Sequence, residues 1–419
     1  MADAGIGATT GERPPSIVQV LAHRPDFRNL WLGTLATQSG QWVLQVAIGW
    51  LMLDLTDSAF WVGLTGFAGG MPMLLLAIPA GVATDRFDRR SVLRTCQLGL
   101  SVLGLALATA VLLDIVTPWQ LLLGAACNGS LMTINNTARQ TMIPATVPRQ
   151  EIASAIAYNT AGQSATRLVG PSLAGFSIAA VGGAGAFGLQ AVCLALALLL
   201  TLQLPSESDN ATTQRRRAPG ALEGVRAVRQ DRLLRDLILL AGIPTFAVFP
   251  YMQLLPVYAR DILAIGPQGL GLLLASSGCG AVIGALLVGR TSPSRQAGRT
   301  LFAATIAYCL LVLGFAYAKS VWLSAPLLVF AGITGSAYLS LNNAILQMHV
   351  TDELRGRVVG VSMLTWGLMP LGALPMGFLA EHVGAPAAIA SGVLLAIGLT
   401  ISLSFGSPLL AARLPNEQV

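Results

Sequence analysis

Long apolar runs dominate this sequence, and their number and length restrict the chain to one class of fold. Twelve runs, at 29–53, 60–84, 91–114, 117–138, 153–180, 183–204, 233–259, 268–289, 299–318, 321–345, 356–380 and 386–408, approach or exceed the roughly 20 residues a helix needs to cross a ~30 Å hydrocarbon layer. Barrel strands need only about 9–11 residues with strict alternation, so these runs read as helices. Composition agrees, because 11% charged residues are too few to cover a soluble particle of 419 residues. A disordered chain, a nucleic-acid-binding domain and an ordinary cytosolic enzyme are excluded. The expected fold class is an all-α polytopic membrane protein whose first partner is the lipid bilayer.

The bases set an orientation. They comprise 24 arginines and Lys319. With twelve spans, 22 of them fall on one side, Arg260 and Lys319 fall on the other, and Arg167 lies inside a span. Cytoplasmic loops carry the excess of Lys and Arg. Both termini are therefore expected in the cytoplasm, in a bacterial-type inner membrane. Residues 1–28 form a polar cytoplasmic segment without the apolar core of a cleaved signal, so the first span is expected to direct insertion. The five cysteines lie in apolar runs and His23, His349 and His382 are scattered, so neither disulfides nor a metal site is expected. No cofactor-binding signature is seen, and without a GxxxxGK[ST] loop no nucleotide drives the protein in cis.

The long polar stretch 205–232 divides the chain into bundles at 29–204 and 233–408, followed by a tail at 409–419. The halves echo each other: Asn135-Asn136 near the end of the fourth span corresponds to Asn342-Asn343 near the end of the tenth. Duplicated six-helix halves are a transporter architecture with the site between them.

The loop after the second span reads Gly81-Val82-Ala83-Thr84-Asp85-Arg86-Phe87-Asp88-Arg89-Arg90-Ser91-Val92-Leu93. It resembles the loop motif of major facilitator transporters at Gly81, Asp85, Arg86, Arg89, Arg90 and Leu93. It departs at Ala83 and Asp88, which replace the family's Leu and second Gly. Asp85 either pairs with Arg139 or caps the start of the eleventh span near Arg355, forming a cytoplasmic gate; the plainer reading is a positive-inside loop. Gly162, Gly170, Pro171 and Gly175 in the fifth span resemble a partial form of the exporters' Gly-Pro motif, marking either a bend at a packed interface or ordinary small-residue packing. The opening Arg24-Pro25-Asp26-Phe27-Arg28 is similar to the enterobactin-exporter-like and macrolide-efflux-like branch. The resemblance implies twelve helices in two pseudo-symmetric six-helix bundles, the major facilitator fold. It further implies a monomeric secondary transporter, not an enzyme, that moves small molecules by alternating access.

Polar residues inside spans usually face the bundle interior. Gln38, Gln41 and Gln45 share one helical face and either line a cavity or bond a neighbouring helix. Tyr251 and Gln253 lie beside Pro244, Pro250 and Pro256, which predict a bent helix. Trp366 offers an aromatic wall or simple packing. Arg167 either binds an anionic substrate group or pairs with buried polar groups, and the two asparagine pairs are expected to stabilise the gate. No Asp or Glu occupies a mid-span position; Asp54, Asp57, Asp114, Asp261 and Glu381 lie near span ends. A coupling proton is the family's expectation, with Asp54 and Asp57 its nearest carriers. The expected activity is export of drug-like, macrolide-like or siderophore-like amphipathic molecules; import on the same fold and a non-transporting receptor are the alternatives.

Overall fold

The computed structural model describes residues 21–204, 221–290, 297–405 and 407–410. The segments 1–20, 205–220, 291–296 and 411–419 lie outside it, as do the side chains of Asp85, Arg149 and Arg355. Among the described residues there is no strand.

The first half contains α1 (Pro25–Thr56), α2 (Ala59–Arg86), α3 (Arg89–Leu112) and α4 (Pro118–Met142), then a helical stretch Ile152–Leu202. That stretch breaks at Gly182, whose φ of 74° needs a residue without a Cβ, and so forms two limbs, α5 (152–181) and α6 (183–202). The amphipathic α7 (Ala221–Gln230) precedes the second half. This half holds α8 (Arg232–Ala247), α9 (Gly266–Arg290), α10 (Ala297–Ala316) and α11 (Val321–His349), then α12 (Asp352–Leu364), α13 (Leu368–Val383) and α14 (Ala385–Ser404). A 3-10 turn at Thr365–Gly367 joins α12 to α13, and together they make the eleventh span.

Nine helices among the described residues are long and apolar enough to cross a bilayer. That number counts α5 and α6 as one helix. It omits α1 and α4, which reach membrane length but carry Gln38, Gln41 and Gln45, or Asn128, Asn135 and Asn136. With these counted, the architecture agrees with twelve spans. The seventh span is less regular than a bend. After α8 the chain passes through 3-10 turns at Phe249–Leu254, a short α turn at Leu255–Val257 and a π turn at Tyr258–Ile262. Pro244, Pro250 and Pro256 each remove a backbone donor, which explains why no continuous ladder runs through it. Within the polar stretch 205–232, α7 packs against the start of α12: a Cβ on Gly224 would lie 2.7 Å from the Arg357 carbonyl.

Helix starts are capped from the sequence. Thr117 and Gln120 close a capping box on α4. Asp231 accepts from Leu233 N at 2.8 Å and Leu234 N at 3.2 Å on α8, and His349 Nε2 of α11 lies 2.8 Å from its other oxygen. Burial raises this carboxyl, but the His349 contact and the two amides outweigh it and hold it below the usual 3.8.

A depressed carboxylate contributes stability that is present above the unfolded-state pKa and lost as pH falls through the folded one. Thermal unfolding in detergent should therefore show the Asp231 contribution intact at neutral pH and disappearing below pH 3.8. Asp231→Ala should lower stability by about 1 kcal/mol, whereas Asp231→Asn, which keeps a capping oxygen, should retain most of it.

Candidate functional site

A central cavity of about 450 Å³ lies between the halves, with walls from α1, α2, α4 and α5 on one side and α9, α10, α11 and the seventh and eleventh spans on the other. The first half supplies amides and one cation. Gln41 and Gln45 project from α1, and Asn128 of α4 donates to the Gln41 Oε1 at 2.9 Å. Gln41 thus lines the cavity and bonds a neighbouring helix at once. Arg167 of α5 is exposed to the cavity and forms no hydrogen bond or ion pair with a described residue. The second half supplies aromatic rings. Phe249 lies 5.5 Å from Tyr308 and 5.8 Å from Trp366, ring centre to ring centre, and Tyr251 completes this wall. Gln253 reaches across to α2, where a Cβ on Gly66 would lie 2.8 Å from its Cδ.

Six of the seven residues singled out for the cavity, Gln41, Gln45, Arg167, Tyr251, Gln253 and Trp366, therefore line one space. Gln38 is half-buried on α1 and is not among the lining residues. Asn343, assigned by sequence to a gate, lines the cavity, whereas Asn135 and Asn342 are buried. Sequence reasoning passed over Phe249, Tyr308 and Asn128, since an aromatic or a lone amide inside an apolar run carries no periodic signal.

At the end opposite the arginine-rich loops the halves touch through glycine. A Cβ on Gly63 of α2 would lie 2.8 Å from the Gly377 Cα of α13, and toward the middle of the same two spans Gly70 and Gly367 leave room for Pro370 and Leu74. Gly175 of α5 likewise admits α9, its Cβ falling 2.5 Å from the Pro267 carbonyl. Gly162 and Gly170 instead make room within the first half for Trp31 and Trp42 of α1. The four Gly-Pro motif residues thus face two partners, and Pro171 lines the cavity.

Charges reinforce that end. Arg260, after the seventh span, lies 2.9 Å from the Asp57 Oδ1 and 3.7 Å from the Asp54 Oδ1, and donates to the Leu53 carbonyl at 2.8 Å. Asp261 holds the other edge of the guanidinium at 2.6 Å. Glu381 at the end of α13 accepts from Ser58 Oγ at 3.0 Å and Phe60 N at 3.2 Å at the start of α2. Burial pushes the Asp54 carboxyl up more than Arg260 pulls it down.

The arginine-rich end differs. Nothing lies within 4 Å of a Cβ built on Gly81 of α2, or on Gly356 or Gly360 of α12. Arg86 is exposed. Arg89 donates to the Thr141 carbonyl and Arg90 to the Leu202 carbonyl. Asp88 caps α3 by accepting from Ser91 N at 2.8 Å, which accounts for a carboxylate where the motif has glycine. Burial raises the Asp88 carboxyl, and the Ser91 hydrogen bonds outweigh it and hold it low. Arg139 is buried inside the first half. It donates to the Leu30 carbonyl at 3.0 Å and to the Thr34 and Thr37 hydroxyls at 3.2 Å, tying α4 to α1. The side chains of Asp85 and Arg355 lie outside the described residues, so both expected pairings of Asp85 fall outside them too.

Residues 21–416 match the transmembrane secretion effector family. The multidrug efflux pump Tap of Mycolicibacterium fortuitum is 31% identical, with 84% of this chain and 88% of that protein covered. The staphyloferrin A transporter of Staphylococcus aureus is 21% identical over 82% and 87%. The macrolide efflux protein A of Streptococcus pyogenes is 21% identical over 85% and 90%. Among solved structures, an inward-facing bacterial homologue of the human lysosomal transporter Spinster superimposes with a TM-score of 0.69 at 17% identity, covering 96% of this chain and 97% of that one. The nucleoside transporter NupG gives 0.68 at 15%, covering 92% and 98%.

Arg260→Ala removes three contacts between the halves at the opposite end while leaving the glycine packing. Because the pairs are partly exposed, the loss is about 1 kcal/mol, a several-fold shift toward separation of that end. Labelling of a cysteine placed at Gln253 by a membrane-impermeant thiol reagent added to cells should speed up by that factor in a background without native cysteines.

Proposed function

The chain belongs to the transmembrane secretion effector family of major facilitator transporters, and on that premise we propose that it exports amphipathic small molecules across the cell membrane by alternating access. The arginine-rich end, with both termini, is cytoplasmic in this reading. The described arrangement is then open to the cytoplasm and closed to the outside, ready to load. The protein works as a monomer.

One observation carries the reading. Along α2 and the eleventh span, contact is graded, with backbones nearly touching at Gly63 and Gly377 and open space at Gly81 and Gly360. Gly81 is eighteen residues from Gly63, five helical turns, and so shares its face. The register that sets position 63 beside 377, 70 beside 370 and 74 beside 367 sets Gly81 beside Gly360. Rocking the halves would close the cytoplasmic end on these two glycines while parting the outer ones. Asp85, at the end of α2, and the arginines of its loop would secure that closure.

Efflux as the direction rests on the relatives named multidrug efflux pump and macrolide efflux protein, and on the Gly-Pro residues of α5. No carboxylate or histidine is among the described residues lining the cavity. A coupling proton would therefore be carried outside it, and Asp54, raised by burial and facing Arg260, is the best-placed carrier.

The test is a cross-link in a chain lacking Cys96, Cys127, Cys193, Cys279 and Cys309. Cysteines replacing Gly81 and Gly360 should join slowly in resting everted vesicles. They should join several-fold faster while a fluorescent drug accumulates in the lumen, and joining should stop accumulation. Rapid joining at rest, or full transport after joining, would contradict the reading.

A further inference from the structure

Among the described residues, one charge lines the cavity, and none of them neutralises it. Arg167 is exposed to the central cavity, and no described residue bonds it. Of the other described lining residues none is acidic, and none is a second base. A guanidinium deep in a membrane protein is expensive to keep and usually pairs with a carboxylate or with backbone carbonyls. Arg139 shows the paired alternative in the same half, where the Leu30 carbonyl and two threonine hydroxyls hold the charge. Arg167 forms no such bond with a described residue, which leaves its guanidinium to a partner from solution.

The surroundings define that partner further. Gln41, Gln45 and Asn128 line the same cavity from the first half, and amides of this kind bond hydroxyl, carbonyl or amide groups. The facing wall is Phe249, Tyr251, Tyr308 and Trp366, which suits a ring or a flat apolar body. The cavity of about 450 Å³ is the size of a small drug-like molecule. Arg167 also stands at the seam, since a Cβ on Gly278 of α9 would lie 2.8 Å from its carbonyl. A ligand on its guanidinium is therefore within reach of both halves.

We infer that the transported molecule is an amphipathic organic anion, its carboxylate, sulfonate or acidic phenol bound by Arg167 and its aromatic or apolar body held against the ring wall of the second half. This inference rests on the exporter reading above. It also accounts for the absence of an acid from the described lining. An anion leaving a cell whose interior is electrically negative moves down the electrical gradient, so its own charge supplies driving force without a titrating group beside it.

Three probes with one fluorophore and different charges test this: dansylglycine (anionic), its methyl ester (neutral) and dansylcadaverine (cationic). Binding to the purified full-length protein is read by energy transfer from the cavity tryptophans Trp42 and Trp366. Transport is read as uptake into everted vesicles, in which an exporter loads the lumen. Dansylglycine should bind about tenfold more tightly than either of the others, in line with a charge-assisted hydrogen bond. Arg167→Gln should reduce that preference to within about twofold. Arg167→Lys, which keeps the charge and loses the fork, should retain part of it. Lys319→Gln, an exposed loop change, should leave it intact. The wild-type preference needs no variant, so a misfolded Arg167→Gln does not remove the test. Tighter binding of the cation or the ester, or no binding of any probe, overturns the inference. If the cation is then accumulated in the lumen, the export reading stands without it. Dansylglycine that binds selectively but moves out of everted vesicles keeps the anion and overturns export.

Discussion

The architecture depends on helices of opposite halves meeting with no side chain between them. At Gly63 and Gly377, and again at Gly175 and Gly271, a single added methyl would strike backbone. In a lipid environment there is little hydrophobic gain from joining two apolar helices, so close van der Waals packing of small residues has to supply the attachment. Such contacts are strongest when the backbones touch and weaken steeply over about an ångström of separation. A seam made this way does not stretch. It opens at one end and closes at the other, which is the behaviour that two rigid six-helix halves need.

Polar groups are spent sparingly around that seam. The buried ones fasten helices within a half: Arg139 joins α4 to α1, and the Ser407 hydroxyl donates to Asp236 of α8 at 2.6 Å. Arg260 and Glu381 bridge the halves at the end opposite the arginine-rich loops, where they add partly exposed, reversible contacts to the glycine packing. The cavity between keeps its amides and one guanidinium facing rings. Buried polar bonds thus fasten helices within a half, partly exposed ones join the halves, and Arg167 faces the cavity without a partner among the described residues.

Much of this was legible in the sequence because the relevant signals are long. Twenty-residue apolar runs, the one-sided distribution of arginines and the break at 205–232 each integrate over many positions. The seven-residue spacing of Gln38, Gln41 and Gln45 marked a helical face, although the cavity takes in only the last two. Other features depend on contacts between distant residues. Arg260 reads as one stray base in an outer loop until Asp54 and Asp57, some two hundred residues earlier, are beside it. The glycine register between α2 and the eleventh span is a relation between two helices, and neither alone announces it. Phe249 and Tyr308 look like ordinary core residues, and only the fold turns them into a wall. Asp88, a departure from the loop motif, becomes intelligible once Ser91 shows it to be a helix cap.

On the reading proposed above, the two ends open alternately about a glycine-packed seam. Distances between spin labels measure it directly in the full-length protein in lipid, one pair at Arg86 and Arg299 on the arginine-rich end and another at Asp114 and Lys319 on the opposite end, all four exposed positions. During turnover the first distance should shorten as the second lengthens, with both returning when substrate is withdrawn. Two distances that stay fixed during transport, or that lengthen together, would contradict the account.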